Sequence, residues 1–81
     1  MIIPLECLRA DETGHIYEVN GDAALVHRLD EMGVRAGAML RMVRPGESCI
    51  VLVNNHRLSL RADGQQLAIL VQLAGQMEAT G

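Results

Sequence analysis

The sequence predicts a mainly β domain: a small barrel of five short strands, with one α-helix between the first two. Three observations carry this. Gly14, Asn20-Gly21, Gly33, Gly37, Pro45-Gly46, Asn54-Asn55 and Asp63-Gly64 cut the chain into pieces of strand length, and only one piece suits a helix. Several of those pieces alternate apolar and polar side chains or are rich in β-branched residues. The chain has only 81 residues, enough for one domain. Folding at that size removes about 63% of the surface from water, which supports one compact core without a deep cavity. Five strands in so small a domain leave exposed edges unless the sheet closes on itself.

The elements follow in order. Leu5 and Leu8 lie three apart, which fits either a single helical turn or an irregular strand. Asp11-Glu12-Thr13-Gly14 is a polar turn, and His15 to Val19 carries the β-formers Ile16, Tyr17 and Val19. Asp22 is a good N-cap, because its carboxylate accepts from free amides of the first turn. The helix runs from Ala23 to Met32, with Leu25, Leu29 and Met32 on one face and Val26 widening the stripe. Gly33 ends it in the left-handed conformation, Val34 folds back onto the last turn, and Gly37 marks a second tight turn. Met39 to Val43 alternates as a strand, and Cys49 to Val53 is an unbroken apolar strand. Asn54-Asn55 closes a tight hairpin into Arg57 to Arg61, whose Leu58 and Leu60 face inward. Leu67, Ile69, Val71 and Leu73 alternate in the last strand. Residues 1–73 thus form the domain, and 74–81 form a tail expected to fray.

Composition narrows the function. Hydrophobic residues make up 49% of the chain, yet Tyr17 is the single aromatic. Stacking platforms for single-stranded nucleic acid and aromatic cages for quaternary ammonium groups need more. All seven basic residues are arginine, and ten acidic residues bring the net charge to −3, which disfavours a nucleic-acid-coating role. Cys7 and Cys49 form no CxxC pair and sit among apolar neighbours, as small buried thiols do. The N-terminal Met1-Ile2-Ile3-Pro4 lacks the features of a signal peptide, and no run is long enough to span a bilayer. The expected location is the cytoplasm.

Arg28-Leu29-Asp30-Glu31-Met32-Gly33-Val34-Arg35-Ala36-Gly37 resembles the R-L-x-x-(L/M)-G-(I/V/L)-x-x-G core of the FeoA domain family. Leu58-Ser59-Leu60-Arg61 resembles that family's (I/L)-(A/S)-L-R strand, and Ile69-Leu70-Val71 its final strand. The resemblance spans residues 5 to 73. It departs at Asp11, where the family often has glycine, at Gly46-Glu47-Ser48, where it often has Gly-Asp-Pro, and in a longer turn after Leu60-Arg61. The resemblance implies an SH3-like β-barrel. It also implies a small cytoplasmic accessory of ferrous iron uptake, partnered with the membrane GTPase transporter FeoB and brought to the inner membrane by that partner. The domain is also similar to the C-terminal module of DtxR-type iron-dependent repressors, whose DNA-binding domain this chain has no room for.

Candidate sites are few. Ser48 and Ser59 have no nearby histidine in sequence, and Gly33 and Gly37 are not followed by Gly-Lys-Ser/Thr, so no catalytic role is expected. His27 and Glu31, at i and i+4 on the helix, are the weak candidates for a ferrous or other divalent transition metal. The simpler account is a surface pair interacting with each other or with Arg28 and Arg35. His15 is expected at a strand edge and His56 in the hairpin. The partner surface is expected among Arg28, Arg35, Arg41, Arg57 and Arg61, because guanidinium forks pair with carboxylates. The alternatives are a small-barrel nucleic-acid-binding or regulatory module using the same arginines, or a weak metal-binding domain. If the Cys49–Val53 strand lies at an edge, its outward valine and leucine offer a route to a homo-oligomer.

Overall fold

The computed structural model describes residues 1–46, 48–61 and 67–73. Six strands and one α-helix follow one another as β1 (Ile2–Pro4), a 3-10 turn (Leu5–Cys7), β2 (Thr13–Gly21), α1 (Ala23–Glu31), β3 (Met39–Arg44), β4 (Ser48–Val53), β5 (His56–Arg61) and β6 (Leu67–Leu73). All ladders are antiparallel, in the order β1-β6-β2-β3-β4-β5. The fold is mainly β, as expected, with one strand more than expected. Ile2–Pro4 pairs with Leu70–Gln72, a contact between chain ends that a three-residue segment containing proline does not advertise.

The expected closure does not occur through hydrogen bonds, because β1 and β5 stand at opposite ends of the strand order. The two edges are protected by other means. β1 is only three residues long and ends in Pro4, and β5 carries Arg57 and Arg61. The inward faces nonetheless converge on one core, so the sheet curls around it. Leu40, Met42, Val51, Val53 and Leu60 meet Ile16, Leu67, Ile69 and Val71, with Leu5, Leu8, Leu29 and Val34 sealing the ends.

Local expectations hold at the helix. Asp22 Oδ2 accepts from the Leu25 N–H at 3.2 Å, Met32 is the C-cap, and Gly33 follows with φ +91°. The Val34 N–H donates to the Leu29 carbonyl at 2.8 Å, so the chain does fold back on the last turn. Leu29 is buried and Leu25 half-buried, but Met32 lies 40% exposed, so the apolar face is narrower than its spacing suggests. Asn54 and Asn55 adopt φ of +53° and +67°, the paired left-handed geometry of a two-residue hairpin.

Other expectations are corrected. β2 extends past both ends of the expected strand, whereas Leu5–Cys7 takes the first of its two open readings, a single helical turn of the 3-10 kind. Cys7 is exposed, because it closes that turn while Leu5 and Leu8 face the core; only Cys49 is buried. The Cys49–Val53 strand is not an edge, since β3 and β5 flank it, which removes the proposed route to self-association. His15 lies in an interior strand between Met39 and Gln72. The turn at Asp63-Gly64 and the tail at 74–81 lie outside the described residues.

Candidate functional site

The ladders β3-β4-β5 decide which arginines share a surface. Residues directly opposite in an antiparallel ladder point to the same side. Arg41 faces Leu52, and Leu52 faces Arg57, giving one row across three strands. A register shift then occurs between Met42 and Arg44, so Arg44, rather than Val43, stands opposite Ile50, which faces Ser59. Ser48 faces Arg61 in the third row. Four of the seven arginines therefore surround the half-buried Ile50 and Leu52 on the outer face. Strand and residue spacings make this patch about 10 Å by 14 Å.

Arg44 is the member that alternation alone misses. Counting by two from Arg41 points Val43 outward and Arg44 inward; the bulge inserts one residue and reverses the assignment. Of the expected partner residues, Arg41, Arg57 and Arg61 come together here. Arg28 and Arg35 do not: Arg28 lies on exposed α1 beside Asp22 and Leu25, and Arg35 Nη1 sits 3.8 Å from Asp30 Oδ1. At the margin of the patch, Arg41 Nη2 donates to Asp11 Oδ1 at 3.1 Å. Both side chains are largely exposed, so this pair adds little stability.

His27 Nδ1 and Glu31 Oε2 are 3.8 Å apart on an exposed helix face. Among the described residues no further histidine, cysteine or carboxylate joins them in a group of three. A divalent ion at this point would take two protein ligands in full competition with water. His56 begins β5 directly after the hairpin turn. Gly33 and Gly37 occupy left-handed φ of +91° and +96°, and both serve the backbone.

The FeoA domain family model matches residues 3–72. This chain belongs to the FeoA domain family. The fold agrees with a crystal structure described as an iron uptake regulatory protein (FeoA). The two superpose with a TM-score of 0.77 at 19% identity, over 91% of this chain and 100% of the other. No curated protein matches the sequence. The small SH3-like FeoA fold thus extends from β1 through β6, and the family links the chain to ferrous iron uptake. One FeoA departure gains a physical reading: Asp11, where glycine is common, adopts φ +72°, a conformation that a short polar side chain tolerates. No helix among the described residues is long and apolar enough to cross a membrane.

Proposed function

We propose that this FeoA domain is a non-catalytic docking module of ferrous iron uptake. It binds the cytoplasmic GTPase part of a FeoB-like transporter through the outer face of β3-β4-β5, at the inner surface of the membrane. The carrying observation is the placement of Arg41, Arg44, Arg57 and Arg61 around Ile50 and Leu52. Arginine offers bidentate pairing to carboxylates and retains little hydration, so it suits an interface that must shed water. Ile50 and Leu52 supply the apolar centre that interface hot spots require, with a charged rim around it. The acidic residues Glu18, Asp22, Asp30 and Glu31 lie on or beside α1 and β2, so the net charge of −3 conceals a basic face. Such a face orients an acidic partner during encounter and raises its association rate.

The test is a pull-down of the transporter's isolated GTPase domain by wild type, by Arg57→Glu/Arg61→Glu, and by Arg28→Glu/Arg35→Glu. The first pair is expected to lose binding, and the second, with the same charge change off the face, to retain it. Unchanged capture by Arg57→Glu/Arg61→Glu rejects this face. Raising salt from 50 to 300 mM is expected to slow association several-fold, because rim charges lie more than a Debye length from their partners at encounter.

A further inference from the structure

Strand β2 has two neighbours over only part of its length. β6 pairs with it from Gly14 to Gly21, while β3 pairs with it only from Thr13 to His15. Two bonds extend the second seam by one residue: Ile16 N–H donates to the Ala38 carbonyl at 2.8 Å, and Gly37 N–H donates to the Ile16 carbonyl at 2.7 Å. From Tyr17 to Gly21, no main-chain bond among the described residues leaves β2 on the side away from β6. Alternate residues of a strand aim their N–H and C=O groups at each side, so this stretch offers main-chain donors and acceptors to an open seam. That seam forms one wall of a groove of about 610 Å³, and α1 with the loop after it forms the other. Val19, Val26, Val34, Ala23 and Ala36 make its lining mainly apolar.

We propose that this groove is a strand-addition site, occupied by an extended peptide segment of a partner protein that carries apolar side chains at alternate positions and a basic residue. Three features select this occupant. Open main-chain groups are satisfied along their length only by another extended backbone. The five residues from Tyr17 to Gly21 span about 17 Å, room for four or five peptide residues, and alternate side chains of the peptide fall on the apolar wall. The charged lining comprises Glu18 and Asp30 against Arg35, with His27 on the helix wall. Arg35 is already 3.8 Å from Asp30 and His27 3.8 Å from Glu31, so Glu18 remains to attract a cation. A second copy offering its own β2 here would have to bring its own α1 into the groove as well, since α1 walls that strand's open side. The site is separate from the arginine face and has the opposite charge preference, so it stands or falls independently of that face.

The experiment titrates the isotope-labelled chain with the synthetic peptide Ac-Lys-Val-Thr-Val-Thr-Val-NH2, to about 2 mM given the weak affinity of a short unconstrained strand. The expected result is amide shifts confined to Tyr17–Gly21 and the groove wall, with slower hydrogen exchange at alternate amides of that stretch. N-methylation of the peptide at alternate residues, in the register that faces β2, removes backbone donors but keeps the side chains, and is expected to weaken binding about tenfold. Replacing the peptide lysine with glutamate weakens it as well. Ala36→Trp fills the groove from an exposed position and is expected to abolish the shifts at an unchanged melting temperature. Absent shifts, shifts elsewhere, or equal binding of the N-methylated peptide overturns the proposal. Protection of the same amides by self-association without peptide assigns the groove to a second copy and overturns it equally.

Discussion

The end of α1 meets the β4–β5 hairpin at Gly33, and a two-site substitution cycle measures that contact. Gly33 and Gly37 have nearly the same positive φ, +91° and +96°. An alanine in the left-handed region costs about 1–2 kcal/mol. Reduced freedom of the unfolded chain returns about 0.4–1 kcal/mol of that. Both substitutions therefore share a net loss of about 1 kcal/mol. They differ in surroundings. A Cβ on Gly37 meets nothing within 4 Å, whereas one on Gly33 lies 2.7 Å from Asn54 Nδ2. The Asn54 side chain is exposed and yields by leaving its rotamer, at about 0.5–1.5 kcal/mol. Gly33→Ala is thus expected to cost about 2 kcal/mol against about 1 for Gly37→Ala, a gap of about 4–8 °C in Tm for a domain of this size. Asn54→Gly removes the obstructing amide and keeps a residue suited to φ +53°, so alone it is close to neutral. Added to Gly33→Ala, it is expected to close the gap. Thermal unfolding followed by circular dichroism reads all four proteins and the Gly37→Ala reference. Equal melting of the two alanine variants, or failure of Asn54→Gly to rescue, refutes the reasoning.

Four further outcomes are expected. Gly14→Ala places a Cβ 2.5 Å from the Gln72 carbonyl oxygen between β2 and β6, which costs about 1–3 kcal/mol and shows as a lower denaturant midpoint. Asp22→Ala loses the N-cap bond to Leu25 and costs about 1 kcal/mol, while Asp22→Asn recovers most of it in the same measurement. Burial, the largest cause, pushes the Cys49 thiol above its ordinary value, so the folded state holds a proton that the unfolded state releases. Its contribution is present below about pH 8.5 and declines above it by up to about 1.4 kcal/mol per pH unit, a loss absent from Cys49→Ala. Alkylation at pH 8 is correspondingly expected to label exposed Cys7 and spare Cys49 until the chain unfolds.

What sequence makes legible here is local. Asp22, Gly33 and Asn54-Asn55 each announce their own backbone, and each is found as read, while the leucine stripe is found without Met32. The alternation of Leu67, Ile69 and Val71 likewise gave three buried residues in β6. What stays hidden depends on partners distant in the chain. Gly14 reads as a turn residue, yet it sits inside β2, where β6 comes too close for a side chain. Ile2–Pro4 becomes a strand only because β6 arrives beside it. The outward turn of Arg44 needs the bulge opposite Ile50, and a bulge is a property of two strands together. The open seam of β2 is invisible for the same reason, since it is defined by where β3 stops.

The short seam between β2 and β3 also divides the domain by chain separation. On one side, β3, β4 and β5 form a meander from Met39 to Arg61 whose pairings are all between consecutive strands. On the other, β1, β2 and β6 join the first residues of the domain to the last. Loop-closure entropy makes the meander the cheaper structure to start from, and the terminal ladder a late step that must bring distant segments together. Core substitutions such as Val51→Ala are then expected to slow folding, while Ile69→Ala mainly speeds unfolding, a contrast that stopped-flow kinetics resolves. On this order of events the arginine face is assembled before the two ends of the chain have met.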